Sequence, residues 1–182
     1  HYTMGGVRTK PTGESPTLNG LFAAGAAACW DMHGFNRLGG NSVAETVVAG
    51  MIVGEFIADF CDKAENGIDI PTSLIYGALA KEEARLKSFM NNGGSENAYE
   101  IRTRMQEIMT TKIGIFRKGA DMESAVAELE ELYKRSFKVS VKDVVGPNPE
   151  LIYAYRTQKM LRVALSVAYG ALNRKESRGA HY

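Results

Sequence analysis

Two glycine-bracketed clusters hold the side chains best placed to do chemistry: His1-Tyr2-Thr3-Met4-Gly5-Gly6 and His33-Gly34-Phe35-Asn36-Arg37-Leu38-Gly39-Gly40-Asn41-Ser42. In the second, Asp31 is the only carboxylate between Glu14 and Glu45, so Arg37 has no obvious acid beside it in sequence. A guanidinium held on a glycine-rich loop suits a planar carboxylate or a phosphate gripped through two parallel N–H bonds. The commoner fate of such an arginine is a distant acid or solvent. His1, protonated, would be a second cation, although a histidine at a chain end is more often simply solvated. Trp30 could stack on a ring system, or serve as core beside Cys29. The three histidines, His1, His33 and His181, have no metal-ligand spacing with one another or with Cys29 and Cys61. The two cysteines lack a CxxC spacing, so neither a zinc site nor a disulfide framework is expected and a reducing compartment is.

The elements that must position these groups follow from the pattern around them. Gly20-Leu21-Phe22-Ala23-Ala24-Gly25 is a short apolar run between glycines and reads as a buried strand. A loop, 26–40, follows. Asn41 or Ser42 then caps a helix that carries Glu45 early and runs through Val47, Val48, Met51, Ile52, Phe56 and Ile57. The start of such a helix offers unpaired N–H groups and a positive dipole end to an anion or an electron-rich ring edge. Many α/β proteins contain this step and bind nothing at it.

Glycine and charge divide the 182 residues unevenly. Residues 1–54 hold 10 of the 19 glycines and 6 of the 43 Lys, Arg, Asp and Glu residues. Charge-poor, glycine-rich backbone suits burial and close approach to a ligand, whereas the charge-rich remainder suits solvated helices. The boundary falls near 61–71, at the turn-like Glu65-Asn66-Gly67. Beyond it four helices are expected: from Pro71 or Thr72 to about Asn91; from Ser95 or Glu96, with Ile101, Met105 and Ile108 on one face; from Asp121, with Met122, Ala125, Val126, Leu129 and Leu132; and after Pro147-Asn148-Pro149, with Leu151, Tyr155, Leu161, Ala164, Leu165, Ala168 and Leu172. Short connections imply an antiparallel bundle. The expected fold is therefore α+β and mainly α, a strand-loop-helix segment over 1–62 followed by a helical domain over 63–182.

Lys plus Arg (22) nearly cancels Asp plus Glu (21), leaving a formal net charge of +1. No field of one sign would gather nucleic acid. The longest apolar stretch is free of charge only over Thr46 to Gly54, too short to cross a bilayer. The chain opens on His1 and closes on His181-Tyr182, and on that reading is expected to be a fragment, its helical domain incomplete.

These motifs together resemble the flavoprotein subunit of succinate dehydrogenase and fumarate reductase: His-Tyr-Thr-Met-Gly-Gly at 1–6, Gly-Leu-Phe-Ala-Ala-Gly at 20–25, His-Gly-Phe-Asn-Arg-Leu-Gly-Gly-Asn-Ser at 33–42, and Glu-Ser-Arg-Gly-Ala-His at 176–181. The wording Ala-Ala-Cys-Trp-Asp-Met-His-Gly-Phe-Asn-Arg is most similar to the bacterial quinol:fumarate reductase branch. The resemblance covers the whole chain in one order. It implies the end of an FAD-binding domain joined to the family's helical domain, without the dinucleotide fingerprint or the covalent histidyl-FAD attachment, which lie upstream in the family. It implies interconversion of fumarate and succinate by hydride transfer at flavin N5, with His1 and Arg37 binding the dicarboxylate and the backbone at Ser42 and Val43 contacting FAD. The family's proton-donating arginine lies upstream, so no catalytic residue is assigned here. Implied partners are an iron-sulfur subunit and membrane-anchor subunits, and the implied location is cytoplasmic, peripheral on the inner face of the inner membrane.

One position departs from the family. Where its members usually read Ala-Gly-Glu, with the glutamate holding the FAD ribose, this chain has Ala24-Gly25-Ala26. Two alternatives stand beside this reading. L-aspartate oxidases share the His-Gly-x-Asn-Arg core but place other residues at Leu38-Gly39-Gly40, and the 182 residues alone could be a non-catalytic helical interaction module.

Overall fold

The computed structural model describes residues 5–34, 37–64, 70–177 and 181. Its elements run β1 (Val7–Arg8), a 3-10 turn (Gly25–Ala27), β2 (Ala28–Cys29), then α1 (Asn41–Lys63), α2 (Thr72–Lys87), α3 (Ala98–Lys112), α4 (Gly119–Ser136) and α5 (Pro149–Asn173). The chain is mainly helical, with one small sheet, and divides into two compact units, residues 1–69 and 70–182.

In the first unit β1 pairs with β2 in parallel, Val7 opposite Ala28 and Arg8 opposite Cys29. The strand expected at 20–25 is not formed as such. Ser15 N donates to Leu21 O at 2.8 Å and Ala23 N to Gly13 O at 2.9 Å, leaving only a bridge between Phe22 and Glu14. The reason lies in the bracketing glycines: Gly20 (φ 78°) and Gly25 (φ 63°) both take left-handed backbone, which stops an extended run on either side. Pairing resumes only at Ala28. Gly25 also carries a packing demand, since a Cβ there would stand 3.1 Å from Thr46 Oγ1 and 3.3 Å from Thr46 Cα. The turn is thus pressed directly against α1.

Helix α1 starts differently from the expectation. The residue before it is Gly40, in left-handed backbone with no side-chain cap, and both Asn41 and Ser42 lie inside the helix. Only Glu45 and Val53 of α1 are buried. Val47, Val48, Met51, Ile52, Phe56 and Ile57 are exposed, which departs from the burial expected of a charge-poor segment. Apolar residues run over more than one stripe of the helix, and the loops of the first unit cover a single stripe. At its far end Phe60 meets Phe22 edge to face, ring centroids 5.6 Å apart.

The second unit has a closed core built by α3, α4 and α5. Ile101, Met105 and Ile108 face Met122, Ala125, Val126, Leu129 and Leu132 and the small residues Ala154, Ala164, Ala168 and Ala171 beside Leu161. Ile101, Leu129 and Leu161 are fully enclosed, and each such side chain contributes about 1.5–3 kcal/mol relative to solvent exposure. The alanine stripe on α5 lets the neighbouring helices approach closely. Asn97 caps α3, its Oδ1 accepting from Tyr99 N at 2.8 Å and Glu100 N at 3.4 Å. Asn148 caps α5 through Leu151 N, with Pro149 in the first turn. Glu96, expected as a possible helix start, instead receives Arg135 in two bonds of 2.9 and 2.7 Å, so the segment ahead of α3 is tied to the last turn of α4.

Helix α2 ends at Lys87 rather than near Asn91. Phe89 turns into the bundle core, 2% exposed, and its carbonyl accepts from Val141 N at 2.7 Å. Backbone pairing with the 139–141 segment outcompetes another helical turn there. No residue of α2 is buried; Tyr155 Oη of α5 donates to Glu82 Oε2 at 3.0 Å. Near the end of the chain His181 Nε2 lies 2.7 Å from Arg117 Nη1. Burial first, and then Arg117 and Arg174, push its pKa below the usual histidine value. The rest of the Arg178–Ala180 motif lies outside the described residues. No described helix is long and apolar enough to cross a membrane.

Candidate functional site

Three polar side chains of the first unit, Trp30, His33 and Arg37, converge on one carboxylate. Glu45, one turn into α1, is 4% exposed. Its Oε1 accepts from Trp30 Nε1 at 3.1 Å. Its Oε2 lies 3.0 Å from His33 Nε2 and 2.7 Å from Arg37 Nη2. Three stretches of chain therefore meet there: the segment after β2, the loop ahead of α1, and α1 itself.

Arg37 is fixed from further directions. Its Nη1 donates to Ser42 Oγ at 3.1 Å, and Nη2 also reaches Gly25 O at 3.4 Å. The side chain is 7% exposed. Contacts at both terminal nitrogens set the plane of the guanidinium, the property on which bidentate recognition of a carboxylate depends. A small cavity of about 40 Å³, lined by Gly5, Cys29, Trp30, His33, Arg37 and Glu45, opens beside the cluster. A second, of about 240 Å³, lies across Trp30 between Met32, Asn41, Val48 and Ile52, with Glu45 in its wall.

Of the two fates open to Arg37, a more distant acid or solvent, the structure shows the first: Glu45, eight residues on, is its partner. It also gives Trp30 and His33 polar roles that sequence reasoning did not assign. One signal was present. Glu45 is the only charged residue between Leu38 and Gly54, and a lone charge on an apolar helix has to find a partner when it is buried.

The other expected site residues are distributed as follows. Ser42 and Val43 occupy the first turn of α1, where backbone N–H groups have no partner within the helix. Gly40 supplies no side-chain cap. Ser42 uses its hydroxyl to hold Arg37, and Val43 is 71% exposed. Ala26 sits exposed in the 3-10 turn, and its methyl group can make no hydrogen bond. His1 lies outside the described residues. Among the described residues no three His, Cys, Asp or Glu side chains are grouped to hold a metal ion, and Cys29 and Cys61 are free thiols.

Comparison with known proteins places this geometry in context. Residues 1–43 match the family profile described as FAD binding domain, and residues 102–182 match that of Fumarate reductase flavoprotein C-term. The chain is 54% identical over its whole length to the fumarate reductase flavoprotein subunit of Helicobacter pylori, of which it spans 25%. It is 39% identical over its whole length to that of Escherichia coli K12, spanning 30%. Among solved structures it resembles a quinol-fumarate reductase with menaquinol molecules, at 39% identity and a TM-score of 0.85, over 31% of that chain. It also resembles a chain of the Mycobacterium smegmatis Sdh1 complex in its apo form, at 35% identity and a TM-score of 0.86, over 30% of that chain. The chain spans about a quarter to a third of the length of the relatives it matches.

Proposed function

Because the chain belongs to the fumarate reductase flavoprotein subunits, matched along its whole length, we propose that it is a segment of an FAD-dependent oxidoreductase interconverting fumarate and succinate. In this reading residues 1–62 form one wall of the dicarboxylate and flavin site, and residues 63–182 form the subunit's helical domain.

The observation that carries the reading is the buried, doubly anchored Arg37. A dicarboxylate has an anion at each end, and a cation at each end orients the double bond between them. Arg37 grips one carboxylate in a plane set by Glu45 and Ser42; His1 grips the other. Negative charge builds on one carboxylate as the double bond is reduced, so a cation fixed there binds the transition state more tightly than the ground state. Fixing Arg37 in advance removes the cost of orienting it during the reaction.

FAD, when bound, supplies the hydride chemistry. The residues present fit it at the start of α1, where the Ser42 and Val43 N–H groups lie at an uncapped, positive helix end suited to an electron-rich ring edge. They do not fit it at Ala26, whose side chain offers no acceptor to a ribose hydroxyl. The covalent link is assigned to the part of the subunit outside this chain. The same reading gives the subunit an iron-sulfur partner and membrane-anchor subunits, and a peripheral position on the cytoplasmic face of the membrane.

The test is Arg37→Lys in the full-length, flavin-loaded subunit. An ammonium cannot reproduce the two-bond grip, so fumarate reduction falls by at least about a hundredfold while flavin remains bound. Near-normal turnover would remove the substrate role of Arg37. Oxygen consumption with L-aspartate, and no iron-sulfur partner recovered, would point instead to the aspartate oxidase reading.

A further inference from the structure

We propose that Glu45 is a positioning residue for this reaction: it touches no substrate and acts by holding the guanidinium plane of Arg37. The inference rests on the reading of Arg37 given above. Its starting point is that the Glu45 side chain is enclosed, 1% exposed, on a helix whose other buried residue is Val53.

A buried ion pair is a poor way to gain stability, because desolvating both charges offsets most of their attraction, and apolar packing of the same volume serves as well or better. What the pair does supply is direction. Oε2 meets Arg37 Nη2 at 2.7 Å, while the same carboxylate is itself fixed by Trp30 Nε1 on Oε1 and His33 Nε2 on Oε2. Both oxygens of Glu45 are engaged, so the carboxylate cannot rotate, and Arg37 inherits that rigidity. Ser42 Oγ holds the other terminal nitrogen at 3.1 Å. Trp30, read from the sequence as a ring-stacking or core residue, and His33 both serve as anchors of this carboxylate.

Glu45 has two opposing effects on a bound dicarboxylate. Its charge competes with substrate for the guanidinium and weakens ground-state binding. Its geometry keeps the guanidinium aligned where charge develops. Removing the charge while keeping the shape therefore separates the two. Glu45→Gln in the full-length, flavin-loaded subunit is expected to leave KM for fumarate unchanged or lower while kcat per bound flavin falls by about tenfold or more. A purely structural residue would instead lower the flavin-loaded fraction and leave kcat per bound flavin and KM untouched.

Glu45→Asp provides the second variant should Glu45→Gln not fold. It keeps the charge but withdraws the carboxylate by one methylene, and a smaller loss of kcat per flavin, at unchanged KM, is expected. In either variant, kcat per bound flavin within about twofold of the parent overturns the proposal. The parallel Arg37→Lys measurement separates the two claims: if it abolishes turnover while the Glu45 variants do not lower kcat, Arg37 keeps its role and Glu45 loses the one proposed here. If Arg37→Lys turns over normally, the underlying reading fails.

Discussion

The two units bury opposite kinds of side chain. Residues 70–182 enclose aliphatic groups from three helices, with Ile101, Leu129 and Leu161 wholly out of solvent. Their charges are kept at the surface in pairs such as Arg104 with Glu107 and Glu128. Residues 1–69 bury a carboxylate, a guanidinium and small residues, while α1 leaves Val47, Met51, Ile52 and Phe56 in solvent. One unit's interior is organised to be stable, and the other's is organised around an oriented cation. A substitution should therefore report on stability in the first case and on chemistry in the second.

The largest stability effect is expected in the bundle. Leu129→Ala, at a fully enclosed position, should cost about 3–5 kcal/mol in urea unfolding of the chain followed by helix ellipticity. A loss below about 1 kcal/mol would mean that the bundle core is not the closed unit described.

A smaller effect comes from the surface pairs. Glu128, partly exposed, accepts from Lys112, Arg104 and Ser124, and these bonds, Lys112 foremost, hold its carboxyl at about 2, below the usual glutamate value. A carboxylate depressed in this way adds stability above about pH 4.5 that is lost as the pH falls toward 2. Screening at such a position limits the gain to about 1 kcal/mol. The acid limb of a pH-stability curve should therefore flatten in Glu128→Gln, and an unchanged limb would remove this network from the account.

The smallest effect belongs to α1. Met51→Gln changes an exposed side chain and should shift the stability of the isolated chain by no more than about 0.5 kcal/mol. A larger loss would show that the apolar face of α1 is already covered within these 182 residues, and the contrast between the units would weaken.

What the sequence made legible follows the same division. In α4 the spacing of Met122, Ala125, Val126, Leu129 and Leu132 identified the apolar part of the buried face, because a helix against a core repeats its contacts every three or four residues, and missed only the buried Ser136. The end of α2 was not legible. Phe89 fits a helical pattern, and only its pairing with Val141, fifty-two residues on, takes it out of one. The 20–25 strand failed for a similar reason: apolar composition was read, but the left-handed backbone at Gly20 and Gly25 was not.

At the candidate site, residue types were legible and partnerships were not. Arg37 stood out by its surroundings, yet its pairing with Glu45 depends on how the loop after β2 and the start of α1 fold together. Periodicity carries no record of such a path. Motif resemblance supplied the family, and the geometry added the anchoring of Arg37 by Glu45 and Ser42.

The most direct test of the central claim is a structure of the full-length, flavin-loaded subunit with a bound dicarboxylate such as succinate. One carboxylate is expected about 3 Å from the Arg37 guanidinium, with the Glu45 contact to Arg37 retained. A dicarboxylate bound on other residues, out of contact with the Arg37 guanidinium, would contradict that claim.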